Sequence, residues 1–178
     1  KKHAKKRMRK ITRITKHITK RTKKTKRRVS PGFATHSSVY EPREDSMLMA
    51  DQVRQYAKGI VLDMGAGSGV QAATALENPL VKHVYAADIN AKAVAACSRR
   101  FRGKPVTCMK SDLFAAFRGG KLKKLLFDTI IFNPPYLPDD KAKRDPAVDG
   151  GKHGYEVIRE FLESASSHLR PDVAILLF

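Results

Sequence analysis

Between Gly59 and Gly69 the chain reads Gly-Ile-Val-Leu-Asp-Met-Gly-Ala-Gly-Ser-Gly. A short apolar run ends in Asp63, glycines follow at 65, 67 and 69, and residues 70–77 then read as a helix. A buried strand, a glycine turn and a helix in that order form the opening unit of a doubly wound, mostly parallel α/β sheet. The glycines then sit at the carboxyl end of the strand, where such a sheet has its crevice and where backbone must approach a ligand. A dinucleotide fingerprint needs its third glycine three positions beyond Gly67, and Val70 stands there. The spacing therefore suits a ligand that has no pyrophosphate.

The chain that follows repeats the pattern. A predicted strand over 81–87 ends in Asp88, twenty-five residues after Asp63, where a carboxylate can accept both hydroxyls of a ribose. A helix over 91–102 and a strand over 106–109 lead to Asp112 and Leu113. These offer a carboxylate to an exocyclic amine and a backbone N–H to an adenine ring. A lone Asp in such a place is more often a helix cap, but three acids at three successive strand tips weaken that reading for the set. Upstream, 47–58 reads as an amphipathic helix with Asp45 or Ser46 as its cap. A hydroxyl at that helix start, Ser46, can hold a carboxylate.

Phe127 to Tyr136 is a second junction. The β-branched run 129–132 reads as a central strand, and Asn133-Pro134-Pro135-Tyr136 stops it. The prolines remove two donors and fix φ, so the Asn133 carboxamide oxygen and the Pro134 carbonyl form a stiff pair of acceptors. A planar NH₂ group fits between them, with Tyr136 as a flat neighbour. Taken by itself the tetrapeptide is equally a strand-ending turn. The polar stretch 137–154 is long enough to be read as a cover for the substrate, and its aspartates lack EF-hand spacing. A helix over 155–169 precedes a last strand over 173–178, where the chain stops inside an apolar run. That ending, with Lys rather than Met at the start, reads as a partial sequence.

Length and charge set the remaining bounds. A chain of 178 residues suits one α/β domain, here 39–178, behind a linker over 29–38. The formal charge of +19 belongs to the first 28 residues, which hold sixteen Lys or Arg and no acid. That basic tail, disordered or helical, is a polyanion contact for RNA or the ribosome. Cys97 and Cys108 lack metal-ligand spacing and read as free, buried thiols, and no metal is expected. No apolar run reaches the length of a membrane span, and no signal-peptide core opens the chain, so a cytoplasmic protein is expected.

Taken together, Asp63-x-Gly65-x-Gly67-x-Gly69, Asp88, Asp112-Leu113 and Asn133-Pro-Pro-Tyr136 resemble a class I S-adenosylmethionine-dependent methyltransferase. Val39-Tyr-Glu-Pro-x-Glu-Asp-Ser46 and Gly150-Gly-x-x-Gly154-x-Glu-Val-Ile158 make the chain similar to the HemK group, in its eukaryotic and archaeal branch. The match covers about 39–178 and leaves the tail outside. It implies a Rossmann-like fold, here truncated before a C-terminal antiparallel hairpin so that a sheet edge is exposed, and methylation of a glutamine side-chain amide, as in a peptide-chain release factor. It also implies S-adenosylmethionine as cofactor and a small activator subunit as a further partner. Ser46 would then contact the methionine end, and Asp63, Gly65 and Gly67 the methionine and ribose region. Asp88 would hold the ribose, and Asp112 and Leu113 the adenine. Asn133 and the Pro134 carbonyl would hold the target NH₂, with Tyr136 against it. Two other readings stay open: methylation of an exocyclic amine of RNA or DNA, which the tail favours, and an inactive RNA- or ribosome-binding relic.

Overall fold

Residues 44–139 and 145–177 are described by the computed structural model; the tail 1–28, the linker 29–38 and residues up to 43 lie outside them. Helix α1 (Glu44–Tyr56) leads into strand β1 (Gly59–Met64). Then come α2 (Val70–Ala75), β2 (Val81–Asp88), α3 (Ala91–Arg100) and β3 (Val106–Lys110). Two 3₁₀ turns, Ala115–Phe117 and Gly120–Leu122, carry the chain to β4 (Phe127–Phe132). Helix α4 (Glu156–Ala165) and a third 3₁₀ turn, Ser166–His168, precede β5 (Leu169–Leu177).

The five strands pair in parallel in the order β3-β2-β1-β4-β5. From β1 the chain steps outward to β2 and β3, then returns to the other side of β1 for β4 and β5. The order therefore reverses between β1 and β4, which is the topological switch point where a doubly wound sheet opens its crevice. Side chains alternate across the sheet. Val61 and Ile131 pack with Met49 and Val53 of α1, Ala72 and Ala75 of α2 and Cys97 of α3. Leu62, Met64, Ile130 and Phe132 pack the other way, with Phe114, Phe117 and Phe161. Both faces are covered, so Ile60–Leu62 in β1 and Ile130–Phe132 in β4 read as short apolar runs rather than as alternation.

The second layer is aromatic. Phe117 meets Phe127 edge-on at 5.3 Å, His168 stacks on Phe114 at 4.6 Å, and Phe161 lies 4.6 Å from Phe132. This cluster anchors the residue immediately before Asn133.

Several boundaries differ from those predicted. Helix α1 spans Glu44–Tyr56, so it includes residues before the predicted start at 47. Ser46 consequently lies inside the helix and does not cap it. Helices α2 and α3 end at Ala75 and Arg100, short of 77 and 102, and the last helix gives way to the 3₁₀ turn at Ser166. Strand β5 begins at Leu169 and runs through Pro171, which falls in the stretch between Leu169 and Ala174 where the register with β4 shifts and no regular ladder partner is needed. Cys97 is buried and Cys108 half-buried, both as free thiols. Burial pushes the Cys97 thiol up to about 12, with Cys108 beside it adding to the shift, so it is a packing group rather than a nucleophile.

Among the described residues no cluster of His, Cys, Asp or Glu could hold a metal ion. No helix there is long and apolar enough to cross a membrane. Phe117 is fully buried at the centre of the aromatic layer, so Phe117→Ala is expected to cost about 3–4 kcal/mol of stability, measured by urea unfolding.

Candidate active site

The register between β1 and β4 fixes the geometry of the crevice. Met64 pairs with Phe132 as the last match of the two strands, so Gly65 and Asn133 leave the sheet side by side. Neighbouring parallel strands lie about 4.8 Å apart, which makes the glycine turn and the Asn-Pro-Pro corner adjacent walls of one cleft. The Phe132 ring lies beneath Gly65, where an added Cβ would stand 3.5 Å from it. At Gly67 a Cβ would meet only the Gly65 carbonyl oxygen, 3.9 Å away, so the turn is open on its outer side.

The three predicted acids sit along the same edge in different environments. Asp63 is buried, and its Oδ2 accepts from the Ala72 N–H of α2 at 2.9 Å. Burial pushes its carboxyl up to about 7, the Ala72 hydrogen bond opposes that shift, and the Asp88 charge adds to it. Asp88 accepts the Gly67 N–H on Oδ2 at 2.7 Å and the Asn90 N–H on Oδ1 at 2.8 Å. It thus ties the glycine turn to the start of α3. The cap of α3 is Asn90, whose Oδ1 accepts from the Lys92 N–H, so Asp88 is not a cap.

Asp112 is exposed, and Leu113 beside it has φ 41°, the one positive value outside glycine among the described residues. Ser111 holds that conformation: its Oγ donates to the Leu113 carbonyl at 2.6 Å and accepts from the Ala116 N–H at 3.0 Å. Strained backbone of this kind persists where surrounding bonds over-determine it, commonly at ligand sites.

Ser46 and a residue the sequence reading missed meet at the junction of α1 and α2. Both are buried, at 6% and 8% exposure, and Gln71 Nε2 donates to the Ser46 carbonyl at 2.8 Å. A carbonyl can only accept, so the amide orientation is fixed. Gln71 Oε1 is then a buried acceptor with no partner among the described residues. The available signal was a long polar side chain on a helix whose other buried residues, Ala72, Thr74 and Ala75, are all small.

This set fits S-adenosylmethionine by its donor and acceptor chemistry. The cofactor offers ribose hydroxyls, an adenine amine and an α-ammonium as donors, and the crevice edge offers the Asp63, Asp88 and Asp112 carboxylates and the Gln71 carbonyl as acceptors. Buried acceptors left without donors are costly, which favours an occupant of that kind.

At the corner, Asn133 and Pro135 are half-buried, Pro134 is buried and Tyr136 is 57% exposed. The polar stretch expected to cover the substrate folds, in its described part, back onto this corner. Leu137 N–H donates to the Val148 carbonyl at 2.9 Å, Gly150 N–H to the Leu137 carbonyl at 2.8 Å, and Asp139 N–H to the Gly151 carbonyl at 2.9 Å. Asp139 Oδ1 accepts the Gly151 N–H at 3.0 Å. A side chain on Gly150 would drive into the Pro135 carbonyl, and one on Gly154 into the Tyr136 carbonyl. These glycines let one backbone pack flat against the other, and the stretch acts as a buttress.

Two outcomes follow. At Gly154, φ is 85° and a Cβ has no room, so Gly154→Ala is expected to cost about 2 kcal/mol. That lowers the melting temperature by about 5 °C, as calorimetry will measure. Asp63 has a folded value near 7, above its ordinary 3.8, so the folded chain keeps this proton over a window in which the unfolded chain loses it. The stability held by the neutral acid is complete below about pH 4 and is lost progressively as pH rises to about 7. Asp63→Asn is expected to flatten that part of the melting-temperature profile while weakening S-adenosylhomocysteine binding in a calorimetric titration.

Comparison with known proteins agrees with this geometry. Residues 33–177 match the family model of the methyltransferase small domain. A Methanocaldococcus jannaschii protein, provisionally named a protein N5-glutamine methyltransferase, is 32% identical over 142 residues, covering 76% of this chain and 68% of that one. A release factor glutamine methyltransferase of Moorella thermoacetica is 29% identical over 160 residues, 80% of this chain and 55% of its own. The chain thus spans about half the length of that bacterial relative. Among solved structures, a ribosomal protein L11 methylase of Lactobacillus delbrueckii superposes with a TM-score of 0.54 at 21% identity, over 77% of this chain and 61% of that one. With the strand order, the glycine turn and the match over most of its length together, the chain belongs to the methyltransferase small domain family, with S-adenosylmethionine as its cofactor.

Proposed function

We propose that the chain methylates the side-chain amide nitrogen of a glutamine in a protein substrate, of which a translation release factor is the leading example. The observation that carries this reading is the Met64–Phe132 pairing, which sets Asn133 and Pro134 against the glycine turn. Similarity to relatives named for glutamine methylation supports the same substrate class.

An amide nitrogen is a poor nucleophile because its lone pair is delocalised into the carbonyl. The Asn133 side-chain oxygen and the Pro134 carbonyl each accept one N–H of the substrate amide, which draws electron density toward nitrogen and fixes its direction. Tyr136 lies flat against the amide. The cofactor would supply an electrophilic sulfonium methyl, its carbon–sulfur bond breaking as the carbon–nitrogen bond forms and one amide proton passing to water, and the residues supply positioning and electrostatics without a covalent intermediate. Ser46 and Gln71 hold the methionine end, Asp63 the methionine and ribose region beside Gly65 and Gly67, Asp88 the ribose, and Asp112 with Leu113 the adenine.

Methylation of a nucleic-acid base would use the same acceptor pair. Such enzymes line the pocket mouth with basic and aromatic groups, whereas Asp88, Asp112, Asp139 and Asp149 lie at or beside this one. Asn133→Ala is expected to lower turnover about a hundredfold or more while S-adenosylhomocysteine affinity falls by less than about tenfold. Tritium transfer from labelled cofactor to a release factor, with RNA and DNA as parallel acceptors, measures it. Near-normal turnover in the variant, or label in nucleic acid alone, would overturn the assignment.

A further inference from the structure

The folded domain is close to neutral in total, and that total conceals a strong segregation. Residues 89–126 hold ten Lys or Arg and a single acid, Asp112, whereas 44–88 and 127–177 together hold nine basic and fifteen acidic residues. All ten cations are exposed. Among the described residues none of them pairs with a carboxylate; the ion pairs lie at Arg54, His153 and Arg170. Among the described residues Arg100 is the one of the ten with a protein acceptor, the Ser68 carbonyl at 2.6 Å.

Topology gathers most of this charge at one end. In a parallel sheet every segment that enters a strand lies at the amino edge, opposite the crevice. Residues 101–105 enter β3 and residues 118–126 enter β4. Arg102 and Lys104 thus share the amino edge with Arg118, Lys121, Lys123 and Lys124, whereas Arg100, beside Arg99 on the last turn of α3, reaches the glycine turn instead. Acids on that side do little to offset them: Glu77 is held by Arg54, Asp128 accepts the Ile60 N–H, and Glu163 ends α4.

We propose that the amino edge of the sheet is a docking surface for the phosphate backbone of RNA. Unpaired cations spread over two segments on both sides of a sheet call for an anion of matching extent, and a nucleic-acid backbone neutralises such a surface by releasing its counterions. The basic residues 1–28 of the same chain extend that chemistry. The choice of RNA over DNA rests on the function proposed above, since a release factor works on the ribosome. Docking here leaves the crevice on the opposite edge clear, so the RNA is an anchor and a protein chain remains the methyl acceptor.

The test uses the whole 178-residue chain, with a short RNA hairpin of arbitrary sequence as probe. Acetylation of lysines read by mass spectrometry is expected to show RNA protection at Lys104, Lys121, Lys123 and Lys124 and none at Lys152, which lies in the buttress near the crevice. The variant K121E/K123E/K124E is expected to bind the hairpin about tenfold more weakly, with the slope of log affinity against log salt reduced by about two. Its S-adenosylhomocysteine affinity stays unchanged, which reports an intact fold independently of the RNA. Protection confined to residues 1–28, or a variant with wild-type affinity and slope, would overturn the proposal. Stronger protection of the same lysines by duplex DNA or polyglutamate than by RNA would overturn it equally. If the variant fails to fold, lysine protection in the unaltered chain decides the matter.

Discussion

The parallel pairing of β1 with β4 is the contact on which the rest of this molecule depends. These two strands are neighbours in space but far apart in sequence, and two helices, two strands and two 3₁₀ turns form between them. Their shared register ends at Met64 and Phe132, so everything beyond is set by which residue follows each. A glycine follows one and an asparagine the other. Because side chains alternate along a strand, a slip of one residue would turn Phe132 out of the aromatic layer and Ile131 into it. The burial of Phe132 against Phe161 therefore guards the position of Asn133 as well as contributing to the core.

Much of this was legible in the sequence because it rests on short-range patterns. Strand, glycine turn and helix around Asp63 announce the first βα unit, and acids at later strand tips repeat its period. The boundaries that shifted did so for reasons local patterning carries weakly. Pro171 is admitted to β5 because it falls where the register with β4 shifts, a feature of the pairing and not of the neighbouring sequence. Gln71 was hidden because a polar residue in a short helix normally signals solvent. Its meaning comes from the Ser46 carbonyl, twenty-five residues away, and from no property of its neighbours. The role of Gly150 and Gly154 was hidden for the opposite reason. Glycine-rich polar stretches read as mobile covers, and only the facing carbonyls of Pro135 and Tyr136 reveal that the missing side chains are what permits the contact.

Electrostatically the domain has two ends. The carboxyl edge collects carboxylates whose partners are largely backbone N–H groups from the turns they join, Gly67 and Asn90 for Asp88 and Ala72 for Asp63. These acids therefore organise the loops before any ligand arrives. The amino edge collects cations with few partners. The strands run between the two ends, so the opposite fields are separated by the length of the sheet and by more than a screening length of about 8 Å at physiological salt. A polyanion at one end and a cationic cofactor at the other do not compete.

The site of the proposed chemistry is stiff by subtraction. Pro134 and Pro135 lack the backbone donors that would let the corner join a ladder, and Gly150 and Gly154 lack the side chains that would hold the buttress away. Each deletion removes a way for the corner to move. On a mechanism that relies on orientation, displacement of a positioning group by about 1 Å can cost a hundredfold in rate. A corner built from residues with few alternatives is then more useful than one with stronger hydrogen bonds and more freedom. The same reasoning explains why the hydrogen bonds from Leu137, Asp139 and Gly150 all tie the buttress to the segment just after Tyr136. They fix the frame and leave the crevice side of the corner to the substrate.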